Sequence, residues 1–195
     1  MKNTKSYSDA GQDLFALEMN PDVSGGVAVG VFVDIGCSDC YVKNNTALLE
    51  ENGWTGIGID NSNGYVGGWN ENRPNSIFVC ADATTLDYKK LFEEHNLPSL
   101  IHYVSLDIDP TTGTLEVLKR LPFDDYKFRA ITFETNLYLK GQETSSESPH
   151  VDRVKKEAKK FMASKGYTLY KEDVEFAEGK PFEDWYIYVA ALPNR

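Results

Sequence analysis

Basic residues and cysteines are scarce in this chain of 195 residues. Lys and Arg number 20 against 30 Asp and Glu, a formal net charge of −10. A surface this acidic repels phosphate backbones, which argues against nucleic acid as a partner. The 3 cysteines cannot build a disulfide framework, and a reduced, cytoplasmic setting is the expectation. No apolar run approaches the roughly 18 residues that a membrane span needs, so no span is expected. Met1–Gln12 is polar and lacks the apolar core of a signal peptide. What the chain does have is 41% hydrophobic and 12% aromatic residues, enough for a packed core. The length fits a single domain over residues 1–195, with residues 1–26 as an N-terminal helical arm.

Strand-like and helix-like segments alternate, the pattern of an α/β fold with a mostly parallel sheet. Val27–Ile35 is a nearly continuous, valine-rich apolar run, as expected of a strand buried on both faces. Val42–Asn52 reads as a helix that Gly53 ends. Further strands are expected at Thr55–Asp60, Ser76–Ala81, Leu100–Ile108 and Phe128–Thr135. Tyr88, Leu91 and Phe92 fall at helical spacing after a cap at Asp82 or Thr84, and Leu115–Arg120 reads as a short helix. A longer helix starts at Ser148, with Val151, Val154, Ala158, Phe161 and Met162 as its buried stripe and Gly166 at its end. Tyr167–Phe176 and Trp185–Ala190 then form an antiparallel hairpin. Seven strands ending in a hairpin, with helices on both faces, suggest the Rossmann-like class I methyltransferase sheet. A dinucleotide-binding fold would continue instead with strand–helix crossovers.

Ten of the 15 glycines lie between Gly25 and Gly68, around the first two strands. Ligands of open α/β sheets sit beyond the carboxyl ends of the strands, where this chain concentrates acids. The first strand runs into Val33-Asp34-Ile35-Gly36-Cys37-Ser38-Asp39-Cys40, and the second ends at Asp60-Asn61. After Gly36 the other glycines of the dinucleotide fingerprint are missing, so the turn does not invite a pyrophosphate. An acid in the position of Asp60 suits the two hydroxyls of a ribose, and Asp82 beyond the third strand can accept from an adenine amino group. The alternative for each acid is a helix cap or a solvated strand end.

Asp107, Asp109, Glu134 and Asn136 close the fourth and fifth strands, facing the place of an acceptor. An acid there can serve as general base for a hydroxyl proton. Alternatively, Asp107 and Glu134 with Asn136 could seat a divalent cation that acidifies the hydroxyl. Cys37-x-x-Cys40 at a strand–helix junction leaves thiol–disulfide exchange open as a rival function. Cys80 and the distant histidines lack the spacing of a zinc site, and His95 and His102 read as structural, while His150 can reach an acceptor pocket. The helix Val151–Lys165 carries a basic stripe that reads as a solvated face or as an attraction for anionic substrates. Tyr65, Trp54 and Trp69 flank the glycine-rich region, where an aromatic ring can stack on adenine or a sugar, although Trp54 reads as core.

The opening Tyr7-Ser8-Asp9-Ala10-Gly11-Gln12-Asp13, followed by Phe32-Val33-Asp34-Ile35-Gly36, resembles FkbM-type S-adenosylmethionine-dependent methyltransferases. The likeness continues in order through Asn45-Thr46, Gly53-Trp54-Thr55-Gly56, Ile59-Asp60, Asn72-Arg73, Ser105-Leu106-Asp107-Ile108-Asp109, Phe133-Glu134 and Pro181-Phe182-Glu183-Asp184-Trp185-Tyr186. The resemblance implies S-adenosylmethionine as cofactor and a hydroxyl of a sugar or sugar-containing metabolite, a small molecule or glycan, as acceptor. It also implies that Asp34, Gly36 and Asp39 border the methionine part, Asp60 with Asn61 the ribose, and Asp82 with Ala83 the adenine. Asp60 stands where the family usually carries a glutamate, and Cys40 where it usually carries glycine. These departures leave a catalytically idle nucleoside-binding or scaffolding module as the second function. The chain is short for the family, which implies a small substrate lid or one supplied by a partner subunit in an oligomer.

Overall fold

The structure, a computed structural model, describes residues 5–23 and 29–192. Seven strands form one sheet in the order β3-β2-β1-β4-β5-β7-β6. They are β1 (Val31–Ile35), β2 (Thr55–Asp60), β3 (Ser76–Cys80), β4 (Leu100–Leu106), β5 (Lys127–Glu134), β6 (Thr168–Glu175) and β7 (Pro181–Ile187). β1 to β5 run parallel, and β7 enters antiparallel between β5 and β6. Six α-helices are described: α1 (Gln12–Met19), α2 (Ala47–Glu51), α3 (Val66–Asn72), α4 (Tyr88–Glu94), α5 (Thr111–Arg120) and α6 (Val151–Ser164). The expected seven-stranded sheet with a terminal antiparallel hairpin is therefore the observed one.

Both faces of the sheet are covered, which is why all five residues of β1 are buried. One face packs Val33, Ile57, Ile101 and Phe128 against Phe92, Leu118, Val154 and Met162 from α4, α5 and α6. The other packs Phe32, Tyr103 and Trp185 against Phe15 and Leu17 of α1 and Leu48 of α2. Phe15 stacks on Trp185 with ring centroids 4.5 Å apart, so the part of the N-terminal arm that is described belongs to the core.

Local chemistry moved several boundaries. Residues 27–28 of the expected first strand, like residues 24–26 and 1–4 of the arm, lie outside the described residues. Within them β1 begins at Val31, after Gly30, where a Cβ would lie 2.1 Å from Cδ2 of the Trp54 indole. The helix expected over Val42–Asn52 contracts to Ala47–Glu51. Asn44 Oδ1 accepts from the amides of Thr46 and Ala47, at 2.9 and 2.8 Å, so the chain before it is a loop. Gly53 does end the helix, at φ +92°. α3 has Trp69 as its one buried residue, and no apolar stripe announced it. α5 starts at Thr111, ahead of the expected Leu115, because Thr111, Gly113 and Thr114 are themselves buried. α6 starts at Val151 behind His150, with Ser148 and Pro149 in the preceding turn. The last strand begins at Pro181, ahead of the expected Trp185, and ends at Ile187.

Candidate active site

β1 lies between β2 and β4, so the chain's crossovers leave it in opposite directions. At such a switch point the loops part and leave a crevice beyond the strand ends. A cavity of about 770 Å³ opens there, within the range of small-molecule sites. Gly36 makes it possible to bring its walls together. Its φ is +84°, and a Cβ on it would lie 1.7 Å from the carbonyl oxygen of Asp107. The amides of Gly36 and Cys37 both donate to Ile59 O, at 2.8 and 3.2 Å, which ties the turn to β2 as well.

Asp60, Asn61, Asp82, Ala83, Gly36 and Asp39 all line this cavity. Asp60 spreads its carboxylate between two backbone donors, Ser38 N on Oδ2 at 3.1 Å and Ser62 N on Oδ1 at 2.8 Å. Each oxygen keeps a further lone pair for a hydroxyl donor. Asp39 Oδ1 accepts from the amides of Val42 and Tyr41, at 2.8 and 2.9 Å, and these bonds hold its carboxyl below the usual range. Asp82 Oδ1 takes the Thr84 hydroxyl and amide, which likewise lowers its pKa.

Asp34 is placed differently. It is 2% exposed and is not among the residues that line the cavity. Burial pushes its pKa up to about 6, against the Thr46 hydroxyl that donates to it at 2.9 Å. Thr46 Oγ1 also receives Nη2 of Arg73, at 3.1 Å. Arg73 is buried, pairs with Glu50 at 2.6 Å, and donates to Cys40 O and Asn44 Oδ1. Asp34 is thus part of the network that holds the β1–α2 loop in place behind the cavity wall.

On the opposite side the wall is Asp107 and Asp109. Burial pushes Asp107 up to about 6 and raises Asp109 as well. Glu134 sits behind Asp107, outside the cavity lining, and the two side chains share a hydrogen bond. Burial, followed by the Asp107 charge, drives Glu134 well above the carboxylate range. Glu183 faces Glu134 across the β5–β7 ladder and is pushed up to about 8 by burial. It accepts from Gln12 Nε2 at 3.0 Å and from Trp185 Nε1 at 2.7 Å. Burial raises both carboxyls, and the Asp107 charge raises Glu134 further, so within the pair the proton is favoured on Glu134.

Asn136 is buried with a left-handed backbone, φ +49°, and its amide donates to Phe182 O at 3.0 Å. It does not line the cavity. Among the described residues no group of three or more His, Cys, Asp or Glu is arranged to hold a metal ion.

Apart from Tyr65, the remaining sequence candidates do not line the cavity. Cys37 and Cys40 are buried free thiols that burial pushes above the ordinary thiol range, the reverse of an activated pair. Cys80 is exposed at the β3 edge. His102 accepts the amide of Val31 at 3.1 Å and is structural; His95 caps the end of α4, and His150 is exposed away from the cavity. The basic stripe of α6 is answered by the protein's own acids, with Lys155 on Asp184 and Asp173, Lys159 on Glu172 and Arg153 on Glu157. Trp54 and Trp69 are core, and Tyr65 does line the cavity.

Sequence reasoning missed Asp9, Gln12, Lys43, Asn45 and Phe182 as lining residues. Four of them sit within or beside the collinear motifs; Lys43 fell inside the helix expected over Val42–Asn52. Lys43 Nζ meets Asp9 Oδ2 at 2.9 Å, a hydrogen bond that raises the lysine pKa.

Sheet order, terminal hairpin and a cavity at the β1 switch point define the class I methyltransferase fold. No family model matches the chain, and no curated protein sequence does. Solved structures do match. A Klebsiella pneumoniae protein assigned as an O-methyltransferase aligns with a TM-score of 0.62 at 11% identity, over 91% of this chain and 80% of that one. The Bacillus cereus O-methyltransferase in complex with S-adenosylhomocysteine aligns with a TM-score of 0.60 at 12% identity, over 95% and 84%. The plantazolicin methyltransferase BamL, in complex with a triazolic desmethyl-plantazolicin analogue and S-adenosylhomocysteine, gives 0.55 at 11% identity, over 92% and 85%. At these identities the likeness is one of fold.

Proposed function

We propose that the protein is an S-adenosylmethionine-dependent O-methyltransferase acting on a hydroxyl of a small-molecule or glycan acceptor, a sugar or sugar-containing metabolite. The observation that carries this is the single cavity in which Gly36, Asp60, Asp82 and Asp107 follow one another along four adjacent strand ends. Fold neighbours that hold S-adenosylhomocysteine support the cofactor, and the motif order resembling FkbM-type methyltransferases supports the acceptor class. Among the described residues the cavity is lined by six aspartates and one lysine, Lys43. Such a lining suits a neutral, hydroxyl-rich acceptor and repels an anionic one. The proposal takes the chain as one methyltransferase domain working in the cytoplasm.

Asp60 with Asn61 would hold the ribose, Asp82 with Ala83 the adenine side, and Gly36 with Asp39 the methionine side. When bound, the cofactor supplies an electrophilic methyl group on a sulfonium. Asp107 accepts the acceptor's hydroxyl proton on its carboxylate, and Glu134, already protonated, keeps that carboxylate oriented. Asp109 stands beside it as a second acceptor for substrate hydroxyls. Gly36 lets the two halves of the site approach, which supplies the proximity an in-line displacement needs.

Calorimetry with S-adenosylmethionine and S-adenosylhomocysteine, followed by labelled-methyl transfer to a panel of neutral sugars, tests the proposal. Binding of neither ligand overturns it. Binding of both without transfer to any hydroxyl favours the idle nucleoside-binding module.

A further inference from the structure

Lys43 has no role in the site as described so far, and its position is unusual. It lies in the loop between β1 and α2 with a left-handed backbone, φ +55°, and its side chain crosses to Asp9 of the N-terminal segment. Both residues line the cavity, so their ion pair ties the β1–α2 loop to the N-terminal segment at its wall. The loop around Lys43 is fixed. Asn44 Nδ2 donates to Cys37 O and Asp39 O, and Asn45 Nδ2 reaches Ser105 Oγ on β4 at 2.8 Å. Lys43 therefore stands at the β1–β4 end of the cavity, away from the ribose and adenine positions at the ends of β2 and β3.

A ligand with one carboxylate meets a problem in this cavity. Six aspartates line it, and Lys43 is the one cationic residue among the described lining residues. Backbone donors nearby are already engaged: the amides of Gly36 and Cys37 serve Ile59 O, that of Ser38 serves Asp60, and those of Tyr41 and Val42 serve Asp39. A carboxylate that enters among these acids unpaired loses its hydration and gains repulsion. The ion pair that Lys43 makes is an exposed one, with side-chain exposures of 70% and 38%, the kind that exchanges partners at little cost.

We propose that Lys43 receives the carboxylate of the cofactor's methionine moiety, leaving Asp9 as the ligand enters, so that the Asp9–Lys43 pair is a strap over the methionine end of the site. The inference rests on the cofactor proposed above. Lys43 is then the residue that distinguishes S-adenosylmethionine and its product from nucleosides lacking the amino acid.

The test compares S-adenosylhomocysteine, which carries that carboxylate, with 5′-methylthioadenosine, which lacks the amino-acid portion. Calorimetry on the intact protein and on Lys43→Met and Lys43→Arg reads both affinities. Lys43→Met should bind S-adenosylhomocysteine about tenfold more weakly and 5′-methylthioadenosine unchanged, while Lys43→Arg recovers most of the loss. Unchanged S-adenosylhomocysteine affinity in Lys43→Met, or equal weakening of both ligands, overturns the inference and leaves the functional proposal standing. Binding of neither ligand by the unaltered protein overturns both.

Discussion

Gly36 meets the carbonyl oxygen of Asp107 so closely that a Cβ at Gly36 would lie 1.7 Å from it. The turn proposed for the cofactor and the acid proposed for the acceptor are therefore built against one another. At φ +84° the glycine also occupies backbone space that an L-residue enters at a cost of about 1–2 kcal/mol. Gly36→Ala should lower stability by at least about 2 kcal/mol and abolish detectable S-adenosylhomocysteine binding. Denaturant unfolding beside calorimetry reads both effects. A variant of normal stability and affinity would show that the β1 and β4 ends need not touch.

Asp60 accepts the amides of Ser38 and Ser62 and lines the cavity, and each oxygen keeps a further lone pair. If those lone pairs accept the ribose hydroxyls, Asp60→Ala should weaken cofactor binding by about 1.5–3 kcal/mol, the scale of charge-assisted hydrogen bonds. Asp60→Glu, which keeps the charge, should bind at least as well as Asp60→Asn. Calorimetric titration of the three variants checks the order, and unchanged affinity in Asp60→Ala would mean the nucleoside lies elsewhere.

Most of the architecture was legible in the sequence because burial on both faces writes itself as apolar runs. β1 stood out for that reason, and the amphipathic stripe of α6 by its helical spacing. α3 did not, since one tryptophan is its whole buried face. Asp60 and Asp107 could be placed because a strand end is a topological address. The position of Asp34 was not legible: one residue before the end of a strand decides between facing the cavity and facing the helix layer behind it. Glu183 and Gln12 meet across 171 residues of chain, and only the β7 insertion brings them together.

Asp34 makes a pH dependence with a definite sign. Its folded pKa, pushed to about 6, lies above the unfolded value of 3.8. The folded state therefore binds more protons than the unfolded state between these values, and stability falls as pH rises through that window. At pH 7 the buried carboxylate costs up to about 3 kcal/mol relative to pH 3. Asp34→Asn, which still offers Thr46 an acceptor oxygen, should remove this loss. Unfolding free energies of the two proteins should converge toward low pH and separate above pH 4, with the variant more stable near neutrality. Parallel curves would show that Asp34 titrates normally.

Asp107 carries the prediction that bears most directly on catalysis. Asp107 lines the cavity, and burial, then the Asp107 charge, raises the pKa of Glu134 behind it. A base with a pKa raised to about 6 is ionised at neutral pH and still holds a proton better than an ordinary aspartate. The rate of methyl transfer should therefore rise with pH through about 6 and level off above it. Asp107→Asn should lower the rate by about 10²-fold or more and leave cofactor affinity nearly unchanged, because the group acts on the acceptor. Glu134→Gln removes the proton-bearing neighbour without removing the base, so it should shift the limb of the profile rather than abolish the rate. If Asp107 acts as a general base without a cation, a chelator should leave the rate unaltered. Full activity in both variants would reduce the site to a device that holds two reactants together. Loss on chelation, restored by Mg²⁺ or Mn²⁺, would instead assign the acids to a metal.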